Sequence, residues 1–172
     1  MTRSCLAALL TLSLPVAMTQ VAAQQPPAPK APKAPPATSA TKTTGGARTV
    51  ALTGGDDMKF SVTEITAKPG ETIHIQLKNI GTIPKMAMAH NVVVLKPTTK
   101  VVEFNTAAAS ARDTDFIPAA MKAEVVASTP LAGPGETVEI TFKVPAAAGT
   151  YPFMCTFPGH FTAGMKGNLV VK

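Results

Sequence analysis

At 172 residues, with 45% hydrophobic and 15% charged side chains, the chain holds enough apolar content for one cored domain plus extensions. Its formal net charge is +6, but Arg3, Lys30, Lys33 and Lys42 precede residue 48, leaving 12 of the 16 cations against 10 carboxylates in residues 48–172. That part is only slightly basic and has neither a basic run nor an aromatic stacking platform, which argues against a nucleic-acid partner.

Residues 1–23 read as a secretory signal. Arg3 is the positive end, Leu6 to Val16 the apolar stretch, and Val21-Ala22-Ala23 a small-residue cleavage site. The expected location is therefore the periplasm, or outside the cell, with cleavage after Ala23. The apolar run is broken by Thr11, Ser13 and Pro15 and falls short of the roughly 20 residues a spanning helix needs. A membrane tether follows only if the segment is retained.

Residues 24–47 hold Pro26, Pro27, Pro29, Pro32, Pro35 and Pro36 among Ala, Lys and Thr. Such a segment cannot bury a core and reads as an extended spacer, on the order of 70 Å at full reach. Of the two cysteines, Cys5 would leave with the signal, so the mature chain carries Cys155 alone and no internal disulfide. A lone exported thiol is either a liability or bound to something.

From Arg48 onward the pattern is of short β-like runs broken by Gly, Pro and Asn. Met58 to Val62 alternates. Lys68-Pro69-Gly70-Glu71 is a turn. Ile73, Ile75 and Leu77 alternate towards a core, and Val92 to Leu95 is a continuous apolar strand. Glu103 to Ala111 reads as a short helix in a long connection, with Pro118 ending any continuation. Val138, Ile140 and Phe142 alternate after the turn Gly133-Pro134-Gly135, and Leu169 to Val171 closes the chain. The expected fold is an all-β, antiparallel sandwich.

Of the three histidines, His74 lies on the face of its strand opposite Ile73 and Ile75 and reads as solvent-facing. His90 opens a strand, after small and soft residues. His160 lies in Cys155-Thr-Phe-Pro-Gly-His160, with Met165 five residues on. Pro158 and Gly159 supply the bend that lets three side chains converge. Buried Cys and Met often simply fill a core. A thiolate, an imidazole and a thioether on one loop, with a second imidazole from elsewhere, also suit a trigonal His₂Cys copper site with a weak axial Met.

At these residues the chain resembles the cupredoxins, the type-1 blue copper proteins, and among them the azurin-like and auracyanin-like members. Cys-Thr-Phe-Pro-Gly-His followed by Met-Lys-Gly carries the resemblance, with Ala-His-Asn-Val upstream. It implies a Greek-key β-sandwich or barrel of about eight strands over residues 48–172, with one copper per chain. It further implies that His90, Cys155, His160 and Met165 ligate copper, that the Ala89 carbonyl approaches the metal opposite Met, and that Asn91 and Thr156 tie the two ligand segments together. The His-to-Met spacing follows the auracyanins rather than azurin, and azurin's disulfide pair is missing.

The implied function is one-electron transfer, with c-type cytochromes or other redox proteins docking near His160. Met88, Pro158, Phe161 and Ala163 are expected to form an apolar patch there, with His160 reaching the surface. A copper enzyme is disfavoured, because three histidines cannot supply a second copper centre and Cys155 is flanked by Met154 and Thr156 rather than by His. A periplasmic copper-binding or carrier protein is the alternative reading.

Overall fold

The computed structural model describes residues 41–44 and 46–172. The expected signal, its cleavage site and nearly all of the expected spacer lie outside the described residues. Within them, nine strands form two sheets. One holds β1 (Thr41–Thr44), β2 (Ala47–Gly54), β4 (Thr72–Asn79) and β7 (Thr137–Lys143), in the order β1-β2-β4-β7. The other holds β3 (Glu64–Ala67), β5 (Val93–Leu95), β6 (Val125–Ser128), β8 (Gly149–Met154) and β9 (Lys166–Val171), in the order β3-β9-β8-β5-β6.

Alternation places the core where the sequence pointed. Ile73, Ile75 and Leu77 of β4 are fully buried, and they meet Leu169, Val171, Tyr151 and Phe153 from the opposite sheet. β5 is buried at every position for a different reason. Val92 and Val94 face the main core, while Val93 and Leu95 face a second cluster with Phe104 and Ala108. Those last two lie four residues apart on α1 (Val101–Ala108), so one helical face covers the outside of the sheet. A strand covered on both faces reads as a continuous apolar run, as Val92 to Leu95 does.

Two turns share one construction. Glu71 N–H donates to the Lys68 carbonyl at 3.0 Å, and Glu136 N–H to the Gly133 carbonyl at the same distance. In each, the Glu carboxylate also accepts the N–H of the turn's first residue at 2.8 Å. Both carboxylates are then paired with cations, Glu71 with Arg48 at 2.6 Å and Glu136 with Lys85 at 2.7 Å.

Four expectations need correction. The sheets are mixed, since β2 pairs with β4 and β3 with β9 in parallel. The chain leaves the first sheet after β2 to form β3 in the second, then returns as β4, so these neighbours are not joined by a hairpin. Met58 to Val62 forms only an isolated bridge, Phe60 to Gly54, because Met58 takes a φ of 54° and breaks the extension. The helix in the long connection starts at Val101 and ends at Ala108, and Pro118 does not end helical structure but precedes a 3₁₀ segment, Ala119–Glu124. Lastly, Thr41–Thr44, inside the segment read as spacer, pairs antiparallel with β2, so the sheet begins ahead of Arg48.

Candidate metal centre

One end of the sandwich gathers the side chains singled out in the sequence. Cys155 follows β8, His160 opens the short helix α2 (His160–Ala163), and Met165 immediately precedes β9. Three backbone bonds close this loop on itself. Cys155 N–H donates to the Met165 carbonyl at 3.0 Å, Met165 N–H to the His160 carbonyl at 2.9 Å, and His160 N–H to the Phe157 carbonyl at 3.1 Å. Gly159, at a φ of 86°, makes the reversal that turns His160 back towards Cys155.

His90 arrives from elsewhere. It makes an isolated antiparallel bridge with Ala132, in which His90 N–H donates to the Ala132 carbonyl at 3.0 Å and Ala132 N–H donates back at 2.7 Å. Its Nδ1 lies 3.2 Å from His160 Nδ1, and that atom lies 3.4 Å from Cys155 Sγ. The ligand atoms of the three residues all fall within 4.8 Å of one another, and all three side chains are buried. First-row metals hold N and S at about 2.0–2.3 Å, so a trigonal set should stand roughly 3.5 Å apart. The spacing and the donor chemistry both fit one copper ion.

Met165 is fully buried. Its methyl packs against Gly54, where an added Cβ would lie 2.5 Å from Met165 Cε and 3.3 Å from His90 Cδ2. Gly54 is thus the floor on which the thioether and the imidazole rest together. The Ala89 carbonyl oxygen lies 3.9 Å from Cys155 Sγ. Asn91 and Thr156 join the two ligand segments as expected. Asn91 Nδ2 donates to Thr156 Oγ1 at 2.9 Å, and Thr156 N–H donates to Asn91 Oδ1 at 2.9 Å. The Asn91 amide also reaches the Asp115 carbonyl at 3.2 Å.

Burial sets the protonation of the metal-free cluster. It pushes His160 down to about 4, with His90 adding repulsion. His90 is lowered for the same reason, opposed in part by Asp56, the Gly55 carbonyl and Asp57. The Cys155 thiol is pushed up to about 11 by burial. Two neutral imidazoles and a thiol therefore face one another, and a bound cation would displace the thiol proton. His90 Nε2 is buried without a hydrogen bond of ordinary geometry, and the Gly55 carbonyl is the one backbone group that acts on the ring, which is otherwise held by packing and by its main chain.

His160 does not reach the surface as expected; it is 2% exposed. Its place at the start of α2 turns the ring inward, and the Phe157 ring lies over it at a centroid distance of 4.9 Å. The apolar patch expected around it is exposed only in part. Met88, Phe161 and Ala163 are only half-exposed, whereas Met86 is 78% exposed and Pro158 is exposed. His74 lies on the outer face of β4, with Nδ1 2.8 Å from Thr141 Oγ1, and takes no part in the cluster. Sequence reasoning missed Gly54 and Phe157, whose roles depend on contacts made across the fold. The Gly54-Gly55 pair was the one available signal of close approach.

A two-sheet β-sandwich with a buried His₂Cys cluster and a neighbouring Met defines a type-1 copper protein. Residues 47–172 match the family model for copper binding proteins of the plastocyanin/azurin family, and the chain belongs to that family, with copper as its cofactor. It is 38% identical over 120 residues to auracyanin-A of Chloroflexus aurantiacus, covering 69% of this chain and 70% of that one. It is 35% identical over 123 residues to azurin of Alcaligenes faecalis, covering 70% of this chain and 94% of that one. Among solved structures, dithionite-reduced auracyanin of Roseiflexus castenholzii superposes with a TM-score of 0.64 at 34% identity, covering 72% of this chain and 96% of that one.

Proposed function

We propose that the protein is a one-electron carrier; His90, Cys155, His160 and Met165 would hold its copper, with the Ala89 carbonyl close by. The observation that carries this reading is the convergence of two Nδ1 atoms and one Sγ within 4.8 Å in a fully buried pocket. Bound copper supplies the Cu(I)/Cu(II) couple. Thiolate and thioether favour the reduced ion, and the imidazoles accept both states. The closed 155–165 loop and the Asn91–Thr156 bonds hold the donors in place, so little needs to move when an electron arrives. Burial excludes water, which otherwise adds ligands to the oxidised ion.

The same features favour a carrier over an enzyme. The remaining histidine is engaged on a distant sheet face, and the cluster has no open side for a substrate. Partners are read as redox proteins of the c-type cytochrome kind, approaching over the cluster. Phe157 supports that reading: it lines a shallow hollow with Met86, Arg112 and Leu131, and its ring lies against His160. Export to the periplasm rests on the pattern of residues 1–23. Among the described residues no helix is long and apolar enough to cross a membrane.

Added Cu(II) should give the purified protein an intense blue or green colour from thiolate-to-copper charge transfer, bleached by ascorbate and restored by oxidation. Cys155→Ser should abolish it. A colourless native protein, or colour that survives the substitution, would contradict the reading.

A further inference from the structure

The geometry points to Asn79 as a positioning residue that holds His90 through the Ala132 carbonyl. The inference rests on the reading of His90 as a copper ligand. Asn79 is the last residue of β4, 1% exposed, and every polar group it owns is used. Its N–H donates to the Glu136 carbonyl at 2.9 Å, and its own carbonyl accepts from Gly135 N–H at 2.9 Å. Its side-chain Oδ1 accepts Gly81 N–H at 2.8 Å. Its Nδ2 donates to the Ala132 carbonyl at 3.0 Å.

That last carbonyl is the one that accepts the His90 N–H at 3.0 Å. One oxygen therefore carries both the ligand's main chain and the Asn79 amide. The arrangement matters because His90 lacks the restraint the other ligands have. Cys155, His160 and Met165 are tied to each other within one loop, whereas the His90 backbone leans on Ala132 and its ring has only a weak hold from the Gly55 carbonyl. Fixing Ala132 fixes His90.

The next residue extends the clamp to the axial side. Ile80 N–H donates to the Gly54 carbonyl at 2.8 Å, and Gly54 is the surface against which Met165 Cε and the His90 ring pack. Asp56 locks the following turn, accepting from Thr82 N–H at 2.9 Å and Thr82 Oγ1 at 2.9 Å. The Asn79–Ile80 pair thus sets the separation between the His90 main chain and the floor beneath the axial thioether. Asn is suited to the task because it offers a donor and an acceptor from one short, buried arm. Leu would fill the volume and make neither bond.

The test compares Asn79→Ser with Leu77→Ala, a fully buried cavity variant two residues earlier on the same strand. Both should lower the denaturant midpoint. Only Asn79→Ser should shift the charge-transfer band and the copper hyperfine splitting, raise amide exchange at His90 in the metal-free protein by tenfold or more, and slow electron self-exchange several-fold. Native spectra and native His90 protection in Asn79→Ser would overturn the inference and leave the copper reading standing. A native protein that takes no copper would instead overturn the copper reading. Should Asn79→Ser fail to fold, the native protein decides: the Asn79 side-chain amide protons and the His90 amide should exchange together. Fast side-chain exchange beside a protected His90 amide would refute the clamp.

Discussion

The two segments that build the metal centre are held in opposite ways. The 155–165 loop is self-contained, with three of the four donors and three backbone bonds between residues no more than ten apart. His90 is held entirely by partners far along the chain, Ala132 through its main chain and Gly54 beneath its ring. The lesson is that a metal loop can carry its own shape, while the ligand that completes the site takes its position from the fold.

The largest test of this contrast is at the point where the two segments join. Asn91→Ala removes the bonds to Thr156 Oγ1 and from Thr156 N–H, and leaves the latter buried without an acceptor. The cost should be about 3 kcal/mol, given that each orphaned buried polar group costs roughly 1–3 kcal/mol. Chemical denaturation of the copper-loaded and metal-free proteins would measure it. A loss below about 1 kcal/mol would mean that the segments are held together by packing alone.

How much of this could be read beforehand follows the same divide. The Cys-x₄-His-x₄-Met loop was legible because spacing and turn residues lie together in the sequence. So was the core face of β4, since Ile73, Ile75 and Leu77 alternate. Whether Met58 to Val62 forms a strand was not legible, because the alternation there is undone by one residue at positive φ. The parallel pairings were hidden because they depend on which sheet the chain enters after each turn. His160 looked exposed because it lies in a loop, yet the start of α2 and the Phe157 ring enclose it. Asn79 gave no signal at all: in sequence it is a polar residue at the end of a strand, and its work is done through Ala132.

A second, intermediate effect is the pH dependence of the metal-free protein. His160 titrates near 4 when folded against an ordinary value of 6.5, so between those values the unfolded chain binds more protons. Stability should therefore fall as pH drops from 6.5 towards 4. Cys155 is raised from 9.0 to about 11, so above 9.0 the unfolded chain loses its proton first and stability should fall as pH rises. Metal-free unfolding should show a plateau between these limits. Copper should steepen the acid side and carry the loss below pH 4, because it keeps the folded imidazoles and thiolate deprotonated while the unfolded chain binds protons. A metal-free stability that is constant from pH 7 to pH 4 would contradict the buried neutral cluster.

The smallest effect on the folded protein is expected outside both segments. Met86 is 78% exposed, so Met86→Glu should change stability by less than about 0.5 kcal/mol and leave the copper spectrum intact. Electron exchange with a c-type cytochrome should nevertheless slow, since the charge would have to be desolvated beside the hollow that Phe157 lines. Stopped-flow kinetics would show it. Unchanged rates would place the docking surface elsewhere.

One rigid donor set should serve both oxidation states. X-ray absorption at the copper edge, recorded on oxidised and ascorbate-reduced protein, addresses it most directly. Both states should show two nitrogen ligands and one short sulfur ligand, with nearly unchanged distances. Loss of a nitrogen or of the sulfur on reduction, or gain of oxygen ligands on oxidation, would contradict it.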